Sequence, residues 1–599
     1  MLRRQFAQLD ANPPCPARVA FATCRIRDGV RQTMTLASDA VEPARRRVLV
    51  AGCALLALFI VVGAFAMPAL IRGSYHDGQG VSVLRAHMPG RDALSADHYV
   101  DAWLTRLLSS TLGFGLALTA FAAVTTPWFY QRFVRGPGPR ELATVRIVVA
   151  SILLVNTLWE DLASTSLLPR GFIHPMGVVG FLYHLPGFGW LAGNGPALRV
   201  FQLVVTLLLA MAALGYRARL SVPLAAITAV VMGGLLRQYC HFFHAMLVPL
   251  LLLCVLSFSP CADALSWDAH VGRTRSADSY APYAWFRFAA FALIALSYSA
   301  AGTSKLQNGG LMWWSGNNLK SYVLADALAN RHFQSGLGLK LANVPAVYFA
   351  PLGLLSVLGE TSFVAVLVST WARRVIPAVM LGMHVGIFLL QNILFPDMMV
   401  ILVALFVVPS VLEALHARRL RTQSEEETLQ SPAENWAGQS GWLACGIALF
   451  VAFLFCWGML RFEYYPLSAF QMYAGHKTSS IILYDRVLAI HRSGREHRAR
   501  MERGAWALAD GRWRDNLGLA FNPATRSVFQ EYLDAIAPML SADTPADPIV
   551  GFAVEHWEWD YDRQPASAHP GRRLERVEFR VSSRSAGSQS SVLEGRRPT

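Results

Sequence analysis

Tyr283-Ala-Trp-Phe-Arg-Phe-Ala-Ala-Phe-Ala-Leu-Ile-Ala-Leu-Ser-Tyr298-Ser-Ala-Ala-Gly302-Thr-Ser-Lys305-Leu306 is the stretch on which the fold turns. About 20 residues of this character, rising 1.5 Å each, cross a hydrocarbon core of about 30 Å. The segment therefore reads as a transmembrane helix with Lys305 at its outer end. A lysine there is costly unless it snorkels to the interface, pairs with an acid or does chemistry.

Similar apolar runs recur along the chain. Its 599 residues are 54% hydrophobic and 15% charged, with a mean hydropathy of +0.36. Soluble domains carry about 25% charged residues, so the composition excludes a soluble enzyme and specifies a polytopic membrane protein. The net charge of +14 reads as basic cytoplasmic loops rather than a nucleic-acid surface. The eight cysteines show neither a CxxC pair nor metal-ligand spacing, and read as buried small hydrophobes. Some 46 polar residues precede the first apolar run, which suits an uncleaved signal anchor despite the Ala64-Phe65-Ala66 tripeptide.

About eleven spans are expected, near 48–68, 104–125, 141–159, 197–215, 220–237, 241–259, 283–302, 346–370, 375–392, 397–414 and 440–459. With the N-terminus inside, Arg45–Arg47, Arg132/Arg135/Arg140, Arg217/Arg219, Arg273/Arg275, Arg373/Arg374 and Arg418/Arg419/Arg421 all fall on the cytoplasmic side. An odd number of spans then places the C-terminal region outside. The domain reading is a basic cytoplasmic tail over 1–46, two N-terminal helices over 47–135 and a transmembrane domain over 136–475. An extracytoplasmic domain over 476–582 and a disordered tail over 583–599 follow. The fold class is an all-α polytopic transmembrane bundle with a small extracytoplasmic α+β C-terminal domain.

In that terminal region, 481–490 and 574–581 alternate as strands, and Phe529 to Leu540 has helical spacing. The stretch Gln423–Gln439 reads as a solvated linker. The loop from Gly309 to Asn343, rich in Trp, Gly and Asn, is too long for a simple connection and is expected to fold over the membrane surface.

Ionisable residues within spans are candidate sites. His244 is placed about a turn into the sixth span, ahead of Pro249, which is expected to kink that helix, while His241 lies nearer the interface. His384 lies in the ninth span, before Phe395-Pro396-Asp397, and Glu360 near the middle of the eighth. For the histidines the plain reading is an interhelical hydrogen bond. Glu360 needs a partner or a proton. Glu160 and Asp161, at a span end where charge is cheap, are set aside. Lys305, His244 and the polar end of the ninth helix fall toward one face, as for a single polar chamber.

Several local patterns together resemble the HTTM-domain membrane proteins, the family of vitamin K-dependent γ-glutamyl carboxylase. They are Gly215-Tyr-Arg-Ala-Arg219-Leu-Ser221, then His244 followed by an apolar helix and Ser266-Trp-Asp268. Next come Ala301-Gly302-Thr-Ser-Lys305-Leu306 with Trp313-Trp314-Ser-Gly316, Glu360 before a basic turn, and His384 before Phe395-Pro396. Tyr465-Pro466-Leu-Ser-Ala-Phe470-Gln-Met472-Tyr473 completes the set. The resemblance covers about residues 141–475 and leaves out the first two spans and most of the tail.

The resemblance implies that Lys305 acts as base toward a reduced quinone of the vitamin K or menaquinol type, with His244 as a second catalytic residue. His384, Glu360, Trp314 and His241 are then the supporting pocket. It further implies O2 and CO2 as cosubstrates, no metal, and a quinone leaving as its epoxide while a glutamate of an extracytoplasmic peptide or protein is carboxylated. Partners would be the lipid bilayer and that substrate, not nucleic acid; independently, the arginine-rich style of the chain suggests a bacterial inner membrane. The chain departs from the family in carrying Ser304-Lys305 where the carboxylase has adjacent lysines, and in its short terminal domain. The alternatives are a non-catalytic maturation, immunity or assembly factor of the same fold, and a transporter relaying protons through Glu360 and His384. The transporter reading lacks an inverted hydropathy repeat and paired broken helices.

Overall fold

The computed structural model describes residue 43 and residues 45–75, 95–239, 244–274, 280–329, 335–420, 439–461, 463–477, 479–499, 516–541, 544–567 and 570–582. The N-terminal tail up to Ala44 (residue 43 apart), the 423–438 linker, His241 and the tail from residue 583 lie outside these, so expectations about them are neither met nor corrected.

Among the described residues, ten helices are long and apolar enough to cross a membrane. They are α1 (Arg45–Tyr75), α2 (Ala96–Val124), α3 (Pro139–Trp159), α4 (Gly195–Leu214) and α5 (Ala218–Arg237). After a short helix α6 (Leu247–Leu256) come α7 (Ala281–Met312), α9 (Ala346–Leu367), α10 (Thr370–Gln391), α11 (Pro396–Glu413) and α12 (Gly441–Leu460), with α8 (Gly316–Leu328) between α7 and α9. The protein is thus a helical polytopic bundle, and its multi-pass membrane character follows from these helices.

The expected sixth span is corrected. At ten residues, α6 extends only about 15 Å, half a bilayer core. His244 precedes this helix rather than sitting a turn inside it. Pro249 is the third residue of α6, in the first turn, where its missing N–H breaks no helical hydrogen bond, so it introduces no kink. Met246, at φ 62°, sets the turn into α6, and its N–H donates to Asp397 Oδ2 at 2.9 Å.

The chain divides into two compact units. One comprises Met1–Gly136, Asp278–Trp285 and Glu426–Cys456; the other comprises Pro137–Ala277, Phe286–Glu425 and Trp457–Thr599. In the first, α1 and α2 pair through Phe59 and Phe114, 5.4 Å apart, and through Trp103 Nε1, which donates to the Gly63 carbonyl at 2.8 Å. That carbonyl lies in the π-helical stretch Val62–Ala66. From Phe286 onward α7 belongs to the second unit, and its most apolar window is 78% buried, the largest share among the spanning helices described.

Two of the sequence patterns prove to be structural ties within this unit. Gly215, at φ +67°, ends α4, where a Cβ would strike the Arg146 guanidinium. Asp268 accepts from the N–H groups of Arg217 and Ala218 at 3.0 and 2.8 Å, satisfying orphan donors at the start of α5. The fully buried Arg146 donates to the carbonyls of Cys261 and Leu265. Asp161, set aside above, accepts from Ser164 N in a local turn, and the backbone carbonyl of Glu160 accepts from Gln202 Nε2 of α4.

The C-terminal region is a four-stranded antiparallel sheet, β1 (Ile481–His491), β2 (Glu496–Arg498), β3 (Ile549–Asp560) and β4 (Arg572–Arg580), in the order β2-β1-β3-β4. One face packs on helix α13 (Arg526–Ser541) through Val487, Ala489, Phe552, Val554, Phe529, Leu533 and Ile536. Strands β1 and β4 and helix α13 match the expected segments; β2 and β3 were not foreseen. On the other face, Ile482, Tyr484 and Trp559 pack against Leu324 of α8, and Ser321 Oγ lies 3.0 Å from Tyr561 Oη. The loop expected to fold over the membrane surface therefore contains a helix that carries the sheet.

Beyond that contact the same face holds Glu555, which is 2% exposed. It pairs with Arg573 at 2.8 Å, Arg576 at 3.2 Å and Arg486 at 3.4 Å and accepts from Trp557 Nε1 at 3.0 Å. Burial alone would raise this carboxyl, but the donors prevail and hold it below the ordinary glutamate range. Glu496 is held low by its hydrogen bond to Arg576. With depressed folded values, this stabilisation is complete above the ordinary value of about 4.3 and lost as pH falls through the lower folded value. Acid titration of the full chain, followed by tryptophan fluorescence, should show a loss of sheet packing below that range. Glu555→Gln should shrink this acid step to the part that Glu496 contributes and lower stability at neutral pH.

Candidate functional site

Gly302 decides whether the candidate site forms. A Cβ there would lie 2.6 Å from Thr361 N and 2.9 Å from Glu360 Cβ, so only glycine lets α7 approach α9 this closely. One turn further along α7, Lys305 Nζ reaches Glu360 Oε2 at 2.7 Å, and both residues are buried. Gly302→Val should separate the two helices at a cost of about 1–3 kcal/mol. A lowered thermal midpoint in detergent would register this, together with increased reactivity of Lys305 toward an amine reagent.

The Lys305 ammonium also stands 5.3 Å from the centroid of Trp313, which is almost fully buried. The indole over the lysine is therefore that of Trp313, whereas Trp314 is half-buried and packs its backbone beneath Gly353. Trp313 is fixed by its Nε1, which donates to the Tyr473 carbonyl at 2.8 Å, and by its own carbonyl, which accepts from Asn318 Nδ2 at 2.7 Å. Asn318 Oδ1 in turn accepts from Lys477 N at 2.8 Å.

His384 lies two turns along the bundle from this pair. Its Nε2 is 2.7 Å from the hydroxyl of Tyr298, which sits seven residues before Lys305 on the same side of α7. Tyr298 stacks on Phe363 at 4.5 Å, Phe363 meets Phe406 at 5.9 Å, and Phe395 lies 5.3 Å from His384. Lys305 is within electrostatic reach of His384, and Asp397 and Glu360 of Tyr298. Both His384 Nδ1 and Asp397 Oδ1 are buried without a hydrogen-bond partner among the described residues. Buried polar atoms left without a partner are costly and rare in folded proteins.

His244 joins through the segment following α12. Its Nδ1 is 3.1 Å from Ser468 Oγ, and its ring lies 5.9 Å from Phe470. Tyr465, in the same segment, is buried, donates to the Val230 carbonyl at 2.6 Å and has the Arg237 guanidinium 5.2 Å over its ring. Its peptide bond to Pro466 is cis. Residues 465–477 thus tie His244 and Trp313 together.

Of the expected residues, Lys305 and Glu360 pair directly, His384 lies two turns along the bundle against Tyr298, and His244 contacts Ser468, in the segment whose Tyr473 carbonyl holds Trp313. Tyr298, Trp313, Asp397 and Ser468 were not among the candidates. The period of α7 points to Tyr298, and Trp313 and Ser468 stand inside quoted patterns; no local signal singles them out.

No family model, curated protein or solved structure matches this chain.

Proposed function

We propose that the protein is a quinol-dependent membrane enzyme resembling vitamin K-dependent γ-glutamyl carboxylase. The observation that carries this reading is the buried Lys305–Glu360 pair beneath Trp313, at the end of the bundle where the sheet domain docks. On this reading that end would face outward from a bacterial inner membrane, with the basic loops on the cytoplasmic side. There a quinone arrives through the lipid and a peptide or protein from the aqueous side.

A reduced quinone needs apolar walls for its rings and hydrogen-bonding partners for its two ring oxygens. Phe363, Phe395 and Trp313 supply walls of that kind. Lys305, His244 and His384 would hold the oxygens, and the unpartnered His384 Nδ1 and Asp397 Oδ1 are the atoms such a ligand would satisfy. When bound, a reduced quinone supplies, with dioxygen, the strong base that carboxylation of a glutamate by carbon dioxide requires.

The chain's own part is the movement of one proton. At 2.7 Å, Glu360 can take a proton from the Lys305 ammonium and leave a neutral amine at Nζ. That amine can then accept a proton from a ligand hydroxyl. The outcome is a protonated Glu360 and an ammonium beside the oxygen it has deprotonated. Burial keeps water from competing for either proton. Purified protein in lipid, given reduced menaquinone and oxygen, should consume oxygen and form an epoxide detectable by mass spectrometry. Absence of both under conditions where the protein is folded would sink this reading in favour of a non-catalytic assembly factor.

A further inference from the structure

The connection from α3 to α4 is long, and for much of its length it lacks the charges that a loop in water carries. No Asp, Glu, Lys or Arg stands between Arg170 and Arg199. Glycine, proline and apolar or aromatic residues fill the interval, with His174, His184, Asn194 and the Tyr183 hydroxyl as its polar side-chain groups.

One side of this segment is tied to the bundle. His174 N donates to the Gln238 carbonyl at 2.6 Å, Val178 N to the Tyr465 carbonyl at 3.1 Å, and the Tyr183 hydroxyl to Gln238 Oε1 at 2.9 Å. Gly177, at φ +57°, lets the chain pass so close that a Cβ there would strike the Tyr465 carbonyl. Val179 is fully buried where it meets Gly234 of α5.

The other side is apolar and uncovered. Val178 and Phe181 stand three residues apart on the short helix Val178–Leu182, so they share a side, and both are exposed. Leu185, in the turn that follows, and Trp190, in the short helix Phe188–Gly193, are exposed as well. Phe181 and Trp190 keep 66% and 65% of their surface. Apolar exposure on this scale marks an interaction surface, and the flanking helices indicate with what. Helix α3 ends on the exposed Leu158 and Trp159, and α4 begins with the exposed Val200, Leu203 and Leu207. On spanning helices these are lipid-facing side chains, so the connection continues in both directions into a surface that faces lipid.

Its backbone sets the depth. Helices of five and six residues joined by turns leave carbonyl and N–H groups that hydrocarbon cannot satisfy. At the level of the headgroups water reaches those groups, and Trp and Tyr are favoured there.

We propose that residues 174–193 form an interfacial anchor, lying on the bilayer with Phe181, Leu185 and Trp190 inserted among the lipids next to the headgroups. The stretch just before it carries the sheet domain. Phe172 is fully buried and packs on Phe529 and Tyr532 of α13 at 6.4 and 5.1 Å, and a Cβ on Gly171 would strike Val528 of the same helix. One connection thus holds the domain and the lipid in succession, which seats the domain at the membrane surface. This role does not depend on the enzyme reading.

The test needs no variant. The full chain in nanodiscs of phosphatidylethanolamine and phosphatidylglycerol is treated separately with hydroxyl radicals generated in the water and with a diazirine probe dissolved in the lipid, and the modified peptides are read by mass spectrometry. Phe181 and Trp190 should escape oxidation despite their exposure, while the exposed Leu574 of the sheet domain is oxidised. The peptide spanning 174–193 should take up the diazirine label as the lipid-facing side of α4 does. Strong oxidation of Phe181 and Trp190 would put the segment in water and overturn the proposal. Protection without diazirine label would overturn it equally, because protein rather than lipid would then cover the surface.

Discussion

Glu360→Leu is expected to lower the stability of the membrane bundle by roughly 3–5 kcal/mol, the cost of leaving one charge of a buried pair without its partner. The geometry puts the pair in the costly class. Lys305 and Glu360 are 3% and 6% exposed, 2.7 Å apart, and enclosed by Trp313 and the close crossing at Gly302. A lysine left alone there must lose its proton or draw in water. The Lys305→Met/Glu360→Leu double variant should recover most of that loss, because apolar groups of similar volume satisfy the same space. Reversible unfolding in mixed micelles would measure this; equal losses for the single and double variants would place the cost in packing rather than charge.

The double variant also answers the question of chemistry, since a single Lys305 substitution confounds misfolding with loss of the base. It should fold and yet reduce hydroquinone-dependent oxygen consumption by about 10²–10⁴-fold, the usual worth of a positioned general base. Glu360→Gln keeps a hydrogen-bonding partner for Lys305 but cannot take its proton, so it should fall in the same range with less loss of stability. Full turnover in either variant would remove Lys305 from the reaction and leave the pair as a helix tie.

How much of this was legible beforehand differs between fold and site. Span positions follow from local sums of hydropathy, so most of the ten long helices lay where the runs do. The sixth failed for a physical reason: an apolar window registers composition, and the turn at Met246, fixed by Asp397 some 151 positions away, shortens the helix to ten residues. Strand β3 was missed because Ile549–Asp560 is buried on both faces for much of its length, which hides the period-two signal. Costly residues were readable one by one, and Lys305, Glu360, His384 and His244 were each found as charges or imidazoles out of place.

By itself the sequence determined a polytopic bundle with a small terminal α+β domain, and which buried groups needed partners. Only the tertiary structure decided the partners. Lys305 met Glu360 across 55 positions, Tyr298 met His384 across 86, and Ser468 met His244 across 224. It was also the fold that turned Trp313 toward the lysine. The energy of burying a charge belongs to one residue and can be read from its neighbours in sequence. What relieves that energy depends on which helices touch, and here that depends on features such as a single glycine at the α7–α9 crossing.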